Sequence, residues 1–132
     1  RGQITMVPAT PYSEHLRAVV CASGYLAPTA AGLHMMGATH GFNDEAVDVR
    51  PADHEANLSR LGEISSALAK AMNINSLDVR QLGGRASVRA SLPGALPLVG
   101  DLLPGLYTSL GHGTRGLITA GLSAELIAAA AV

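Results

Sequence analysis

The chain has 132 residues, of which 48% are hydrophobic and 14% are charged. This composition can support a packed core and excludes an intrinsically disordered chain. The formal net charge of −1 provides no overall electrostatic attraction to nucleic acid, and a single cysteine excludes a disulfide framework and a cysteine-based metal site.

The first part of the sequence predicts a series of short strands. Residues 3–7 form an apolar run that is soon followed by prolines, which are typical of strand ends. Residues 17–22 and 25–28 are separated by a Ser-Gly pair, which indicates a hairpin turn. Residues 33–39 predict the next strand. Cys21 lies within an apolar run, so we expect a buried and unreactive thiol.

A polar loop and one long helix are predicted next. Residues 41–50 are rich in acidic and amide side chains and are typical of a surface loop. Pro51 suits a first helical turn, and Asp53 and Glu55 suit the positive end of the helix dipole. Apolar residues then recur at helical spacing as far as position 72, before an Asn-Ile-Asn stretch ends the helix; they are Leu58, Leu61, Ile64, Leu68 and Met72.

The last part of the sequence returns to strands and ends in a second helix. Residues 77–82 and 85–90 predict strand segments on either side of a Gly-Gly pair. A short apolar segment over 96–100 and a Pro-Gly turn precede a strand over 106–110, and the chain ends in an apolar helix over 117–131. The order of strands, helix, strands and helix predicts an α+β fold with a mostly antiparallel sheet and two main helices.

A glycine motif separates the last strand from the last helix. Gly111 to Gly116 has the spacing G-x-G-x-x-G, which is typical of a dinucleotide-binding loop. That fingerprint also needs a second strand with an acidic residue about 20 positions further on, and the sequence ends before one. The motif is therefore either a tight turn with Gly113 or Gly116 at positive φ, or a ligand contact of another kind. Thr114 is the expected N-cap of the helix.

Other candidate site residues carry positive charge or imidazole. Arg80, Arg85 and Arg89 lie close together in strand-like sequence, and Arg85 and Arg89 would share a face of an unbroken strand. They form either a solvated or ion-paired face or an anion site. The five histidines have no spacing typical of a metal site, so none is expected.

The sequence also bears on cellular setting and completeness. It has neither a signal-peptide pattern nor an apolar run long enough to span a membrane, so we expect a cytoplasmic protein. It begins with Arg1 at a strand that is already under way, which predicts an excised piece of a longer chain.

Three separated segments form a recognisable set: the run from Arg89 to Gly100, which contains Leu-Pro-Leu-Val-Gly, then Pro104 to Tyr107, and then Gly111 to Leu117. Together they resemble the C-terminal end of the FAD-dependent amine and D-amino-acid oxidase family. Motifs nearer the start, such as Cys21-x-x-Gly-Tyr-Leu-x-Pro28, resemble those of the members of this family that modify the wobble uridine of tRNA.

The resemblance implies a function for a longer protein. Such members use FAD to remove the carboxymethyl group from 5-carboxymethylaminomethyl-2-thiouridine, releasing glyoxylate, and a separate S-adenosylmethionine-dependent half then methylates the amine. Residues 1–100 would belong to a substrate-capping region, and residues 101–132 would form the last strand, loop and helix of a discontinuous FAD domain. The tRNA would be the substrate partner, with no membrane partner, and the apolar last helix could lead the excised piece to self-associate.

The resemblance also implies roles for particular residues. Arg89 would bind the substrate carboxylate, and the loop would face the flavin through Gly111, His112, Gly113, Thr114, Arg115, Gly116 and Leu117. Leu92 and Gly94 stand where related enzymes usually have Thr and Asp, which leaves open how the substrate or the loop is anchored. Without a phosphate-binding βαβ unit, the piece alone would bind FAD weakly and be inactive. The alternatives are another amine or amino-acid oxidase of the family and a non-catalytic α+β binding module.

Overall fold

The computed structural model describes residues 1–131, which form two compact units, one of residues 1–88 and one that begins at Arg89. The first unit is built on a five-stranded antiparallel sheet, whose strands in chain order are β1 (Gly2–Pro8), β2 (Val20–Cys21), β3 (Tyr25–Leu26), β4 (Leu33–Gly37) and β5 (Gly83–Ser87). Their order across the sheet is β2-β3-β4-β1-β5. Strand β1 lies between β4 and β5, and it aligns Thr5 with Met36 of β4 and Ile4 with Arg85 of β5.

Two helices of this unit supply the apolar side chains that complete its core. Helix α1 (Pro51–Ile64) begins at the predicted proline and is followed by α2 (Ser66–Ala71) and a 3-10 turn over Ile74–Ser76. The buried core cluster draws on both the sheet and the helices, and its members are Val7, Leu26, Met36, Leu58, Leu61, Ala69 and Met72.

Polar side chains are buried between β1 and α1. Gln3, Thr5, His54 and Asn57 are almost completely inaccessible to solvent. Asn57 donates from Nδ2 to the Gln3 carbonyl and to Thr5 Oγ1, both at 3.0 Å, and Thr5 Oγ1 also lies 2.8 Å from His54 Nδ1. Because a buried polar group without a partner is costly, these bonds fix the position of α1 relative to the strand.

The predicted polar loop over 41–50 is held against β1 by Arg1 and Gln3. The Arg1 guanidinium donates to the carbonyls of Ala46 and Asp48 and forms an ion pair with Asp53 in the first turn of α1. Gln3 accepts the Arg50 N–H at 2.8 Å and donates to the Arg50 carbonyl at 2.8 Å. The loop is thus anchored at both its middle and its end.

The second unit is a hairpin covered by one helix. Strands β6 (Leu98–Leu103) and β7 (Leu106–Leu110) pair antiparallel through the predicted Pro-Gly turn, and helix α3 (Gly116–Ala130) packs against both. A 3-10 turn over Pro93–Ala95 precedes the hairpin. No helix within residues 1–131 has the length and apolar character needed to cross a membrane.

The α+β class and most predicted elements are confirmed. The strands predicted over 3–7, 33–39 and 106–110 are present, and the predicted hairpin around residue 23 forms with two-residue strands. The predicted domain boundary after residue 100 falls within β6. Along the chain, the first compact unit ends at Val88 and the second begins at Arg89. The assignment of residues 1–100 and 101–132 to separate enzyme domains stays a prediction.

The strand predicted over 77–82 is wrong. Asp78 instead organises a turn, because its carboxylate accepts the Arg80 N–H at 3.0 Å and its carbonyl accepts the Gln81 N–H at 3.0 Å. Leu77 and Val79 pack against the core without pairing in the sheet. The Gly-Gly pair lies inside β5 rather than between two strands, and β5 ends at Ser87.

Two further expectations for this unit are corrected. The single long helix breaks at Ser65, which has extended backbone and caps α2 by accepting the Leu68 N–H on its Oγ at 3.2 Å. Cys21 is exposed rather than buried, because β2 has only two residues and lies at the edge of the sheet.

Gly84 provides a test of the packing between β5 and α1. A Cβ at this position would lie 2.6 Å from the Ile4 carbonyl oxygen and 2.7 Å from His54 Cε1. We expect Gly84→Ala to lower the free energy of unfolding by about 1–3 kcal/mol, as overpacking of a core usually does. Gly83→Ala is the matched control, since its Cβ would make only ordinary contact with Met6 at 3.7 Å. Urea unfolding of both variants measures the difference, and equal midpoints would contradict this account.

His54 gives the first unit a pH-dependent stability. Burial lowers the pKa of His54 from its ordinary value of 6.5, although the charge of Asp53 acts in the opposite direction. The unfolded chain therefore binds a proton that the folded chain excludes between the lowered pKa and 6.5, so the free energy of unfolding falls as the pH drops through this window. Above pH 6.5, the contribution of the buried, neutral His54 to the free energy of unfolding is fully present.

Measurement of the free energy of unfolding between pH 5 and 8 tests this effect. His54→Gln should reduce the slope of the unfolding free energy against pH. His15→Gln, which changes an exposed histidine, should leave that slope as in the wild type. Identical slopes for wild type and His54→Gln would exclude His54 as the source.

Candidate functional site

The glycine loop connects β7 to α3 and depends on two residues with positive φ. Gly111 has φ 75° and Gly113 has φ 55°, a region that favours glycine. The prediction for Gly113 is therefore confirmed, whereas Gly116 is the first residue of α3. The loop forms a compact turn in which the Arg115 N–H donates to the His112 carbonyl at 3.0 Å.

The loop lies directly against the segment that follows Arg89. Ser91 and His112 form an antiparallel bridge, and the Gly113 N–H donates to the Ala90 carbonyl at 2.9 Å. Because Arg89 immediately precedes Ala90, the structure brings the predicted arginine segment and the predicted glycine loop together within one unit.

Both glycines of the turn are close to side chains of this segment. A Cβ on Gly111 would lie 2.6 Å from Leu92 Cγ, and a Cβ on Gly113 would lie 2.9 Å from Ser91 Oγ. Leu92, one of the two departures from related enzymes, therefore packs on the loop. Gly94, the other departure, has φ 81° and lies in the 3-10 turn.

The start of α3 is open. Arg115 occupies the N-cap position and makes no side-chain capping bond, so the prediction that Thr114 is the N-cap is wrong. The first N–H groups of a helix have no partners within it and carry the positive end of its dipole. Thr114, Arg115 and Leu117 are exposed here, and the first turn has no acidic side chain. Negative charge on a ligand would be stabilised at this position.

His112 differs from the other predicted loop residues, because its ring makes contacts inside the unit. Nδ1 lies 2.7 Å from Thr119 Oγ1 on α3, and Nε2 lies 2.8 Å from Ser109 Oγ at the end of β7. No sequence pattern indicates Ser109, Thr119 or Ser91 as residues that support the loop. Their spacing relative to His112 has no recognisable pattern, because three different elements contribute them.

The three arginines lie in different settings. Arg80 is exposed in the turn before β5, and Arg85 is exposed on β5. Arg89 is half-buried and lies beyond the end of that strand, so Arg85 and Arg89 do not occupy one continuous strand face. Within residues 1–131, no group of three or more histidine, cysteine or acidic side chains is arranged to hold a metal ion.

A family model over nearly the whole chain identifies the class of protein. The family of FAD dependent oxidoreductases known as DAO matches residues 1–130, and the chain belongs to this family. In fold, the chain is similar to the glycine oxidase of Geobacillus kaustophilus, with a TM-score of 0.74 and 22% identity over 98% of this chain and 34% of that one.

The chain is also similar to curated bifunctional proteins named for tRNA 5-methylaminomethyl-2-thiouridine biosynthesis, MnmC. It is 60% identical to the protein of Nitrosospira multiformis over 99% of this chain and 22% of the relative. It is 43% identical to the Pseudomonas putida protein over 98% of this chain and 24% of the relative. The chain therefore spans about a quarter of the length of these relatives.

Substitutions of three glycines separate backbone strain from the contact with Leu92. Gly111→Ala should cost more than Gly105→Ala, because both positions have φ 75° but a Cβ at Gly105 would meet nothing within 4 Å. Strain alone costs about 1–3 kcal/mol, and the clash adds to it. Gly121→Ala, at an open helical position, should instead stabilise α3 by about 0.5–1 kcal/mol.

Thermal unfolding of the three variants gives this ranking. In the double variant Gly111→Ala/Leu92→Ala, the stability lost through the clash with Leu92 should be recovered, whereas the stability lost through backbone strain should not. If Gly111→Ala and Gly105→Ala cost the same, Leu92 does not restrict the loop.

Proposed function

We propose that this chain is part of an FAD-dependent oxidoreductase that removes the carboxymethyl group from 5-carboxymethylaminomethyl-2-thiouridine at the wobble position of tRNA. The family membership and the 60% identity to a tRNA 5-methylaminomethyl-2-thiouridine biosynthesis protein support this substrate. The observation that carries the proposal is the junction between the Arg89 segment and the glycine loop, through the Gly113–Ala90 hydrogen bond.

The residues of the loop fit a flavin. Gly111 and Gly113 let the segment after Arg89 pack closely on the loop, and the uncapped start of α3 presents N–H groups at Gly116 and Leu117. FAD, when bound, would supply the acceptor for a hydride from the carbon next to the secondary amine of the substrate. The helix N-terminus would stabilise the negative charge that develops on the ring, with Arg115 adding charge nearby.

Arg89 would hold the substrate carboxylate. A guanidinium binds a carboxylate through two parallel hydrogen bonds, which fixes both position and orientation. This bidentate binding would keep the reacting carbon of the substrate in near-attack geometry, and such positioning raises the rate of the reaction. After oxidation, water adds to the substrate imine, and the products are glyoxylate and the aminomethyl nucleoside.

Further parts of the proposal concern the full-length protein. A second half, dependent on S-adenosylmethionine, would methylate the exposed amine, in keeping with the bifunctional name of the relatives. The partner is tRNA, and the setting is the cytoplasm, where tRNA is modified. The chain taken alone would bind FAD weakly and be inactive, because the family resemblance implies a separate phosphate-binding unit.

Self-association of this chain is part of the same proposal. Leu117, Ile118, Leu122 and Leu126 of α3 are all exposed. An apolar surface of this kind favours association. Sedimentation velocity at two concentrations measures it, and a monomer at both would contradict it.

The test uses the full-length protein. We expect it to purify with the visible absorption of bound flavin and to release glyoxylate from the modified tRNA. Arg89→Ala should lower kcat/KM by about 10- to 100-fold, since a hydrogen bond to a charged group contributes about 1.5–3 kcal/mol. Arg89→Lys should recover only part of this, because lysine lacks the planar fork. Arg80→Ala, at an exposed turn, is the control and should leave kcat/KM unchanged.

Other outcomes would support the alternatives. A protein that is colourless and cannot be reconstituted with FAD would refute the oxidoreductase. Salt-dependent binding of tRNA to this chain, lost on changing the exposed Arg80 and Arg85, would favour a non-catalytic module. Turnover of free amines in preference to modified tRNA would favour another oxidase of the same family.

A further inference from the structure

We propose that His112 is a positioning residue that fixes the glycine loop to both flanking elements, rather than a group that contacts the cofactor. The inference deepens the proposed function, because the loop would be the flavin-facing part of the site. It depends on three side chains from three elements: Ser109 of β7, His112 of the loop and Thr119 of α3.

The hydrogen bonds assign the direction of each contact. Thr119 Oγ1 lies 3.0 Å from the Arg115 carbonyl oxygen, which can only accept, so the hydroxyl proton of Thr119 points to that carbonyl. Thr119 Oγ1 is then the acceptor at 2.7 Å from His112 Nδ1, which must carry a proton. In the neutral ring Nε2 is the acceptor, and the Ser109 hydroxyl donates to it at 2.8 Å.

This arrangement connects the end of β7 to the first turn of α3 through one imidazole ring. The Arg115 carbonyl also accepts the N–H groups of Ile118 and Thr119 at 3.0 Å, so the hydroxyl of Thr119 adds a third bond at the N-cap residue. Since α3 has no side-chain cap, the relay holds the N-cap residue from its carbonyl side and leaves the first N–H groups of the helix uncapped.

The consequence is a preorganised site. With both ring nitrogens engaged inside the unit, His112 offers no free ring nitrogen to a ligand, whereas the backbone N–H groups at the start of α3 remain available. Donors that are already fixed in direction do not need to be ordered when the ligand binds, which improves affinity.

The first test is the tautomer of His112 in this chain, measured by imidazole ¹⁵N NMR and assigned by the signal lost in His112→Gln. We expect the neutral ring to carry its proton on Nδ1. A neutral ring protonated on Nε2 would overturn the proposal, and the tautomer itself is measured on the wild-type chain without any flavin.

The second test removes the acceptor. Thr119→Val keeps the side-chain shape, and we expect the proton of the neutral ring to move to Nε2. The hydrogen-bonded amides of Arg115 and Ile118 should exchange about tenfold faster, as loss of one hydrogen bond predicts. Thr119→Ser should restore the wild-type tautomer and exchange. Ser123→Ala is the matched control, because it removes a hydrogen bond to the Thr119 carbonyl without contacting His112. Equal effects of Thr119→Val and Ser123→Ala would refute the relay.

The third test connects the relay to the ligand. In the full-length protein, Thr119→Val should weaken flavin binding about tenfold, and Thr119→Ser should leave it within about twofold. Unchanged flavin affinity in Thr119→Val would overturn the positioning role. A full-length protein that binds no flavin would refute the proposed function instead, and the tautomer in this chain would still stand on its own.

Discussion

The second unit depends on the close approach of two backbone segments at Gly111 and Gly113. The Gly113 N–H reaches the Ala90 carbonyl at 2.9 Å, and Leu92 occupies the space where a Cβ of Gly111 would lie. Both glycines also have positive φ, so the requirement for absent side chains is both steric and conformational. This contact places the segment after Arg89 beside the loop that leads into α3.

A different constraint organises the first unit. Strand β1 carries polar side chains on the face covered by α1, and Gln3 and Thr5 are completely buried. Asn57 and His54 on α1 complete their hydrogen bonds, and the other bonds of Gln3 hold the end of the polar loop at Arg50. Hydrogen bonds are directional, so the bonds of this network specify the position of α1 where apolar packing alone would allow it to slide.

Local sequence patterns predict the wrong secondary structure at three places in the chain. Leu77 and Val79 alternate as in a strand, but the carboxylate of Asp78 favours a turn and the two apolar side chains reach the core from it. Ser65 reads as one more residue of a long helix, although its hydroxyl caps a second one. Thr114 has the right type and approximate position for an N-cap, but the compact turn after Gly113 moves the helix start by one residue.

The sequence by itself determined the α+β class, most strands, the proline start of α1 and the position of the glycine loop, because these depend on local periodicity and on turn residues. It also carried the family resemblance, and with it the expectation of a flavin. Only the tertiary structure decided that Leu92 packs on Gly111 and that Ser109 and Thr119 engage both nitrogens of His112. Those contacts join residues from separate elements, and their distances are set by how the hairpin, the loop and the helix pack, which no local pattern in the sequence encodes.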